Sequence, residues 1–185
     1  MRKNFKAKPI LYPQPVFIIA SYDENGNADA MNAAWGGIAD ADKIFMCIGS
    51  HKSTENILAR RAFTVSMGSA EQVVACDYVG IVSASNEPEK MKKSGFHTTK
   101  SEHVDAPLID ELPLALECKL ISYDPETGYM FGEIVNISVD ERILDENDHI
   151  LPERLRPIIF DGANASYHVI GEKVGNAFCD GAALK

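Results

Sequence analysis

One long hairpin signal constrains this chain more than any other feature. Residues 113–124, PLALECKLISYD, and residues 128–141, GYMFGEIVNISVDE, alternate apolar and polar side chains and are joined by PETG. A period of two places one face of each strand on a core and the other toward solvent, and a short glycine-bearing turn folds the two antiparallel.

Other segments follow the same pattern. PVFIIASYD (15–23) is rich in β-branched and aromatic residues and meets the turn signal ENG, after which NADAMNAAW returns as a second strand. KIFMCIG (43–49) is too short and apolar for a convincing helix and reads as a buried strand; TVSM (64–67) reads as another. Between them, STENILARR predicts a helix capped by Ser53 or Thr54, with Glu55 in its first turn and Arg60 and Arg61 in its last. SAEQVVACDYVGI (69–81) predicts a second helix, from a serine cap to a glycine stop. NEPEKMKKSG (86–95) predicts a short, charged, exposed helical turn. RILDENDHILPERLRP reads as a polar surface excursion and the glycine-studded tail IIFDGANASYHVIGEKVGNAF as mostly irregular. Strands outnumber helices and no regular crossover helices separate them, which argues against a parallel βαβ sheet and for a mainly β, antiparallel small barrel. At 185 residues, the chain is expected to form a single domain, 1–185.

Charge and cysteine usage exclude several functions. A formal net charge of −9 argues against nucleic acid and anionic membrane surfaces as partners. The four cysteines, Cys47, Cys76, Cys118 and Cys179, show no CxxC spacing and sit among apolar or small residues, as expected of buried, reduced thiols. The basic N-terminus lacks the uninterrupted apolar stretch of a signal peptide, and no run approaches a membrane span, so a cytoplasmic location is expected.

Two segments carry candidate chemistry. GSHKSTEN (49–56) leaves a strand and enters a helix, so free N–H groups and the positive end of the helix dipole converge with the Ser50, Ser53 and Thr54 hydroxyls and the Lys52 ammonium. The arrangement suits a phosphate; a well-capped surface helix accounts for the same residues. No GxxxxGK[ST] is present, so a P-loop is not supported. In DAMNAAWGG (29–37), Asn32 offers an amide, while Ala33, Ala34, Gly36 and Gly37 let the backbone approach a planar group. Trp35, the only tryptophan, either stacks on a ring or fills the core. The five histidines are scattered without metal-ligand spacing, the carboxylates Asp23, Glu24, Asp29, Asp40 and Asp42 read as solvated turn residues, and there is no GxSxG. A close-approach loop and a phosphate cradle without acid–base machinery point to chemistry carried by a bound cofactor.

Five segments together resemble the flavin reductase-like, or flavoredoxin, family of FMN-binding split barrels. They are PQPVFIIASYDENGNADAMNAAWGG, CIGSHKSTENI, DYVGIVSASNEPEKMKKSGF, LPLALECKL and SYHVIGEKVGNAF, spanning about Pro13 to Phe178. The resemblance implies a six-stranded antiparallel split β-barrel that forms a homodimer, with FMN near the subunit interface. It implies that Met31, Asn32, Ala33, Ala34 and Trp35 lie along the isoalloxazine, that Ser50, Lys52, Ser53 and Thr54 hold the phosphate with His51 nearby, and that Asn56 braces the loop. Family reductases often carry Arg at the position of Lys52; a lysine brings a point charge in place of a bidentate contact. Cys118 matches a cysteine common in the family and reads as buried and structural. The implied function is an FMN-dependent oxidoreductase passing electrons from NAD(P)H through FMN to an acceptor. The alternatives are an electron carrier with tightly bound FMN and a redox protein partner, or a non-catalytic flavin-binding module.

Overall fold

The computed structural model describes every residue from Met1 to Lys185. Its strands are β1 (Phe17–Tyr22), β2 (Ala28–Ala33), β3 (Gly36–Asp40), β4 (Lys43–Cys47), β5 (Ala62–Met67), β6 (Thr98–Lys100), β7 (Pro107–Ile109), β8 (Leu114–Asp124), β9 (Tyr129–Val139), β10 (Ile158–Asp161) and β11 (Ser166–Val169). Its helices are α1 (Lys52–Arg60), α2 (Val73–Ile81), α3 (Lys90–Ser94) and α4 (Pro152–Leu155). Seven strands form one sheet in the order β2-β1-β5-β8-β9-β4-β3, and the remaining four make the two-stranded ribbons β6-β7 and β10-β11. Every pairing is antiparallel.

The closure of this sheet follows from chain connectivity. Its two edge strands, β2 and β3, are consecutive in sequence and joined only by Ala34 and Trp35. Two residues cannot span a flat seven-stranded sheet, so the sheet curls until its edges meet at the Trp35 corner. Bulges between Glu117 and Cys118 and between Leu120 and Ser122 let the long β8–β9 hairpin bend with it. The outcome is the mainly β split barrel expected, with seven strands in the main sheet instead of six. The additional strand is β3, whose sequence GGIAD carries two strand-breaking glycines. Gly36 is nonetheless obligatory there: a Cβ on it would stand 2.5 Å from the Phe45 carbonyl oxygen and 2.9 Å from the Phe17 ring.

The core has two compartments divided by β1. Phe17 and Ile19 point into the barrel with Ile44, Met46, Phe63, Val65 and Met130. Val16, Ile18 and Ala20 point outward beneath α2, with Ala30, Cys76, Val79 and Phe96. Burial on both faces explains why β1 reads as a continuous apolar run without alternation.

The helices correct several expectations in detail. α1 starts at Lys52 and is preceded by His51 in an extended conformation, with no side chain capping its first turn; Ser53 and Thr54 lie inside the helix. Arg61 is its left-handed C-terminal residue. A single 3₁₀ turn, Ala70–Gln72, precedes α2, which runs through Gly80 to Ile81. α3 ends on left-handed Gly95 as expected, yet Lys90 at its start is buried. Cys76 and Cys118 are buried, as expected, and burial pushes their thiols up to about 11 and about 12. Cys47 is half-buried and Cys179 exposed, contrary to expectation, because each lies next to the surface at a strand end or on the tail. No helix is long and apolar enough to cross a membrane.

Candidate functional site

At the Trp35 corner, the edge of β2, the end of β4, α2 and the β10–β11 ribbon enclose a cleft of about 310 Å³. Met31 to Trp35 supply one wall, Cys47 to Gly49 and His51 the floor, and Asp77, Gly80, Ile81, Phe160 and Tyr167 the opposite side. A second cavity of about 220 Å³ adjoins it, sharing Met31, Asn32, His51, Gly80 and Ile81, and adds Asp29, Lys52, Ser53 and Lys90. The first part falls at the small end of the range for ligand pockets and the second extends it.

The larger part is mostly apolar and carries three aromatic rings. The Trp35 and Phe160 rings stand 6.4 Å apart at 52°, and Phe160 and Tyr167 are 6.0 Å apart. β2 is an edge strand paired only with β1, so alternate backbone N–H and C=O groups on its far side have no strand partner. Asn32 Nδ2 donates to the Cys76 carbonyl oxygen at 3.0 Å and so ties β2 to α2. That approach needs Gly80, where a Cβ would sit 2.9 Å from the Asn32 Cβ. The Tyr167 hydroxyl donates to Asp77 Oδ1 at 2.8 Å. Burial, then the Asp77 hydrogen bond and charge, push the Tyr167 phenol up to about 12.

The smaller part is built for negative charge. The first hydrogen bond of α1 runs from the Glu55 N–H to the His51 carbonyl at 3.1 Å, leaving the N–H groups of Lys52, Ser53 and Thr54 without an acceptor in the chain. Those groups and the helix dipole form an anion-binding end. Two ammoniums join them. Lys52 is partly exposed and lies 3.5 Å from Glu55, whereas the Lys90 side chain is 4% exposed, with Nζ 3.1 Å from Asp29 Oδ1. Ser53 Oγ donates to the other Asp29 oxygen at 2.8 Å. A buried pair held by this further hydrogen bond leaves no lone charge in the protein interior.

The cleft thus collects Met31, Asn32, Ala33, Ala34, Trp35 and His51, and its extension Lys52 and Ser53, from the residues singled out in the sequence. Ser50, Thr54 and Asn56 line neither part. Ser50 is exposed, Thr54 Oγ1 donates to the Gly49 carbonyl oxygen at 2.8 Å, and Asn56 is buried behind the helix with its Nδ2 unpartnered. Gly36 and Gly37 also stand outside the cleft: Gly36 packs against β4 and the Phe17 ring, and Gly37 faces open space. Asp29, Asp77, Lys90, Phe160 and Tyr167 were not anticipated. Asp29 lies between two alanines within a strand, a weak hint that it is not a turn carboxylate.

Residues 10–162 match the family model for the flavin reductase like domain. The chain belongs to this family. It is similar to the flavoredoxin of Desulfovibrio vulgaris (Miyazaki F), 34% identical, with a TM-score of 0.93 covering 98% of this chain and 100% of that one. The flavoredoxin from Methanosarcina acetivorans, 23% identical, shares the fold with a TM-score of 0.89 over 100% of both chains. The FMN-binding domain of a flavin reductase-like enzyme from Shewanella baltica, 20% identical, does so with a TM-score of 0.78 over 88% of this chain and 89% of that one. Family membership supports a flavin-binding, oxidoreductase-type function. The residues fit such a group: apolar and aromatic walls with an unpaired strand edge suit a planar ring, and free helix amides with two ammoniums suit a phosphate.

Proposed function

We propose that the protein is an FMN-dependent oxidoreductase that takes electrons from NAD(P)H and passes them through FMN to an acceptor. The observation that carries this reading is the pair of adjoining cavities that share five lining residues, one aromatic and the other beside the free amides of α1 and two lysines. FMN supplies, when bound, a ring able to accept a hydride and release electrons.

The chain's own residues bind and orient. Met31, Ala33, Ala34 and Trp35 flank the ring, with Asn32 fixing the wall of α2 behind it. The amides of Lys52, Ser53 and Thr54, with the Lys52 and Lys90 ammoniums, hold the phosphate. His51 lies where the two parts of the cleft join. Ser50 is assigned to the phosphate rim, while Thr54 and Asn56 brace the loop from behind. A homodimer completes the site. Trp35 is shared between the cleft and an adjoining apolar groove of about 630 Å³ that includes Leu11, Ile38, Phe45, Tyr129 and Phe131, which suits coverage by a second copy.

A second reading is favoured by the flavoredoxin match at 34% identity: a carrier that keeps FMN and exchanges electrons with a redox protein partner. The visible spectrum of the FMN-supplied protein, before and after anaerobic NADH and then NADPH, separates these. Prompt bleaching of the flavin bands supports the oxidoreductase. Bands that persist with both nucleotides but bleach with a reductase support the carrier. Bands that no donor bleaches leave a non-catalytic flavin module, and no uptake of FMN overturns the assignment.

A further inference from the structure

We propose that Asp77 lowers the reduction potential of a flavin held in the cleft by setting an uncompensated negative charge beside its ring. This rests on the assignment of the cleft to FMN and goes on to name the group that tunes it.

Asp77 projects from α2 and is the one carboxylate among the fourteen residues lining the main cleft; neither lysine nor arginine is among them. Its Oδ1 accepts the Tyr167 hydroxyl at 2.8 Å, Oδ2 has no hydrogen-bond partner in the chain, and no cation pairs with it. The lysines of the adjoining cavity each stand beside their own carboxylate: Lys52 at 3.5 Å from Glu55 and Lys90 at 3.1 Å from Asp29. The ring end therefore holds a lone carboxylate, while the other end holds the free amides of α1 and two lysines that are each paired with a carboxylate.

The oxidised ring is neutral. Two electrons and one proton leave it with a net negative charge, and two electrons and two protons return it to neutrality. A carboxylate facing the ring across mainly apolar walls opposes the charged product far more than the neutral reactant. The result is a lower potential. Tyr167 acts through Asp77 and is a positioning residue: its O–H donates to the carboxylate, spreads its charge and holds it against the cleft. Its ring is fixed by Phe160, its cross-strand partner in the β10–β11 ribbon.

The test is potentiometric titration of the FMN-loaded protein and of two variants, with affinity for oxidised FMN measured alongside. Asp77→Asn keeps size and removes charge. It is expected to raise the affinity for reduced over oxidised flavin on the order of tenfold, an upward shift of about 30 mV for a two-electron couple. Tyr167→Phe bares the carboxylate and shifts the potential the other way. Opposite shifts from two neighbouring substitutions are not the signature of loosened packing. An unchanged or lowered potential in Asp77→Asn overturns the proposal while leaving FMN binding intact. Should that variant fail to fold, an unchanged or raised potential in Tyr167→Phe does the same. An unaltered chain that takes up no FMN overturns both this inference and the assignment beneath it.

Discussion

At the scale of single residues, the most consequential group is Lys90. Its ammonium is inside the protein, 3.1 Å from an equally buried Asp29. Removing one member of such a pair strands the other, so Lys90→Met is expected to destabilise the fold by about 3–5 kcal/mol. The double change Asp29→Asn with Lys90→Met restores most of that stability, but not the FMN affinity, because the phosphate has lost a cation. Urea unfolding and FMN titration on the same samples check both halves; a double variant that binds FMN normally removes Lys90 from the phosphate site. Asp161 provides a pH dependence. The Tyr12 hydroxyl first, then Asn164, hold its carboxyl down to about 2. A depressed folded-state pKa stabilises above the ordinary carboxylate range and is lost on acidification. Melting temperature should therefore fall as pH drops from about 4 toward about 2, and Tyr12→Phe should flatten that fall. Of these residues, the sequence exposed only the α1 side of the phosphate end. Lys90 hides in a charged run that ordinarily faces water, Asp29 follows a turn signal where carboxylates are usually solvated, and their pairing across 61 positions has no local signature.

At the scale of elements, close backbone contact decides what local propensity obscures. The alternation of β9 and the turn before it were legible because β9 has one more buried and one wetter face, whereas β8 is buried on both faces from Ala115 to Cys118 and alternates only beyond it. β3 was not legible, since Gly36 serves a close approach to the β4 backbone and the Phe17 ring that local propensity does not register. Gly36→Ala is expected to destabilise by about 1–3 kcal/mol through overpacking against the Phe45 carbonyl and the Phe17 ring. Gly37→Ala, whose added methyl meets nothing within 4 Å, should be tolerated. Equal losses at the two sites, read from chemical denaturation, would contradict the packing argument. The N-terminus of α1 shows the reverse situation. Reading Ser53 or Thr54 as caps assumed that the first turn needs a side-chain acceptor. His51 supplies none, and the amides stay available for an anion.

At the scale of the whole molecule, the Trp35 corner joins two surfaces. Its indole is half exposed, with the cleft on one side and the apolar groove on the other. A groove lined by Ile38, Phe45, Tyr129 and Phe131 is poorly matched to water, and Ile38 and Tyr129 are exposed in the single chain. If a second copy covers that groove, it also buttresses Trp35, and assembly and FMN affinity are linked: whatever separates the subunits loosens the cofactor. Ile38→Asp, on an exposed strand position outside the cleft, should convert a dimer into a monomer and weaken FMN binding together. Sedimentation equilibrium with and without FMN, beside a flavin titration, reads both. A monomeric unaltered chain that binds FMN tightly would show that the corner is complete within one subunit. A variant that becomes monomeric with undiminished affinity would separate the groove from the site.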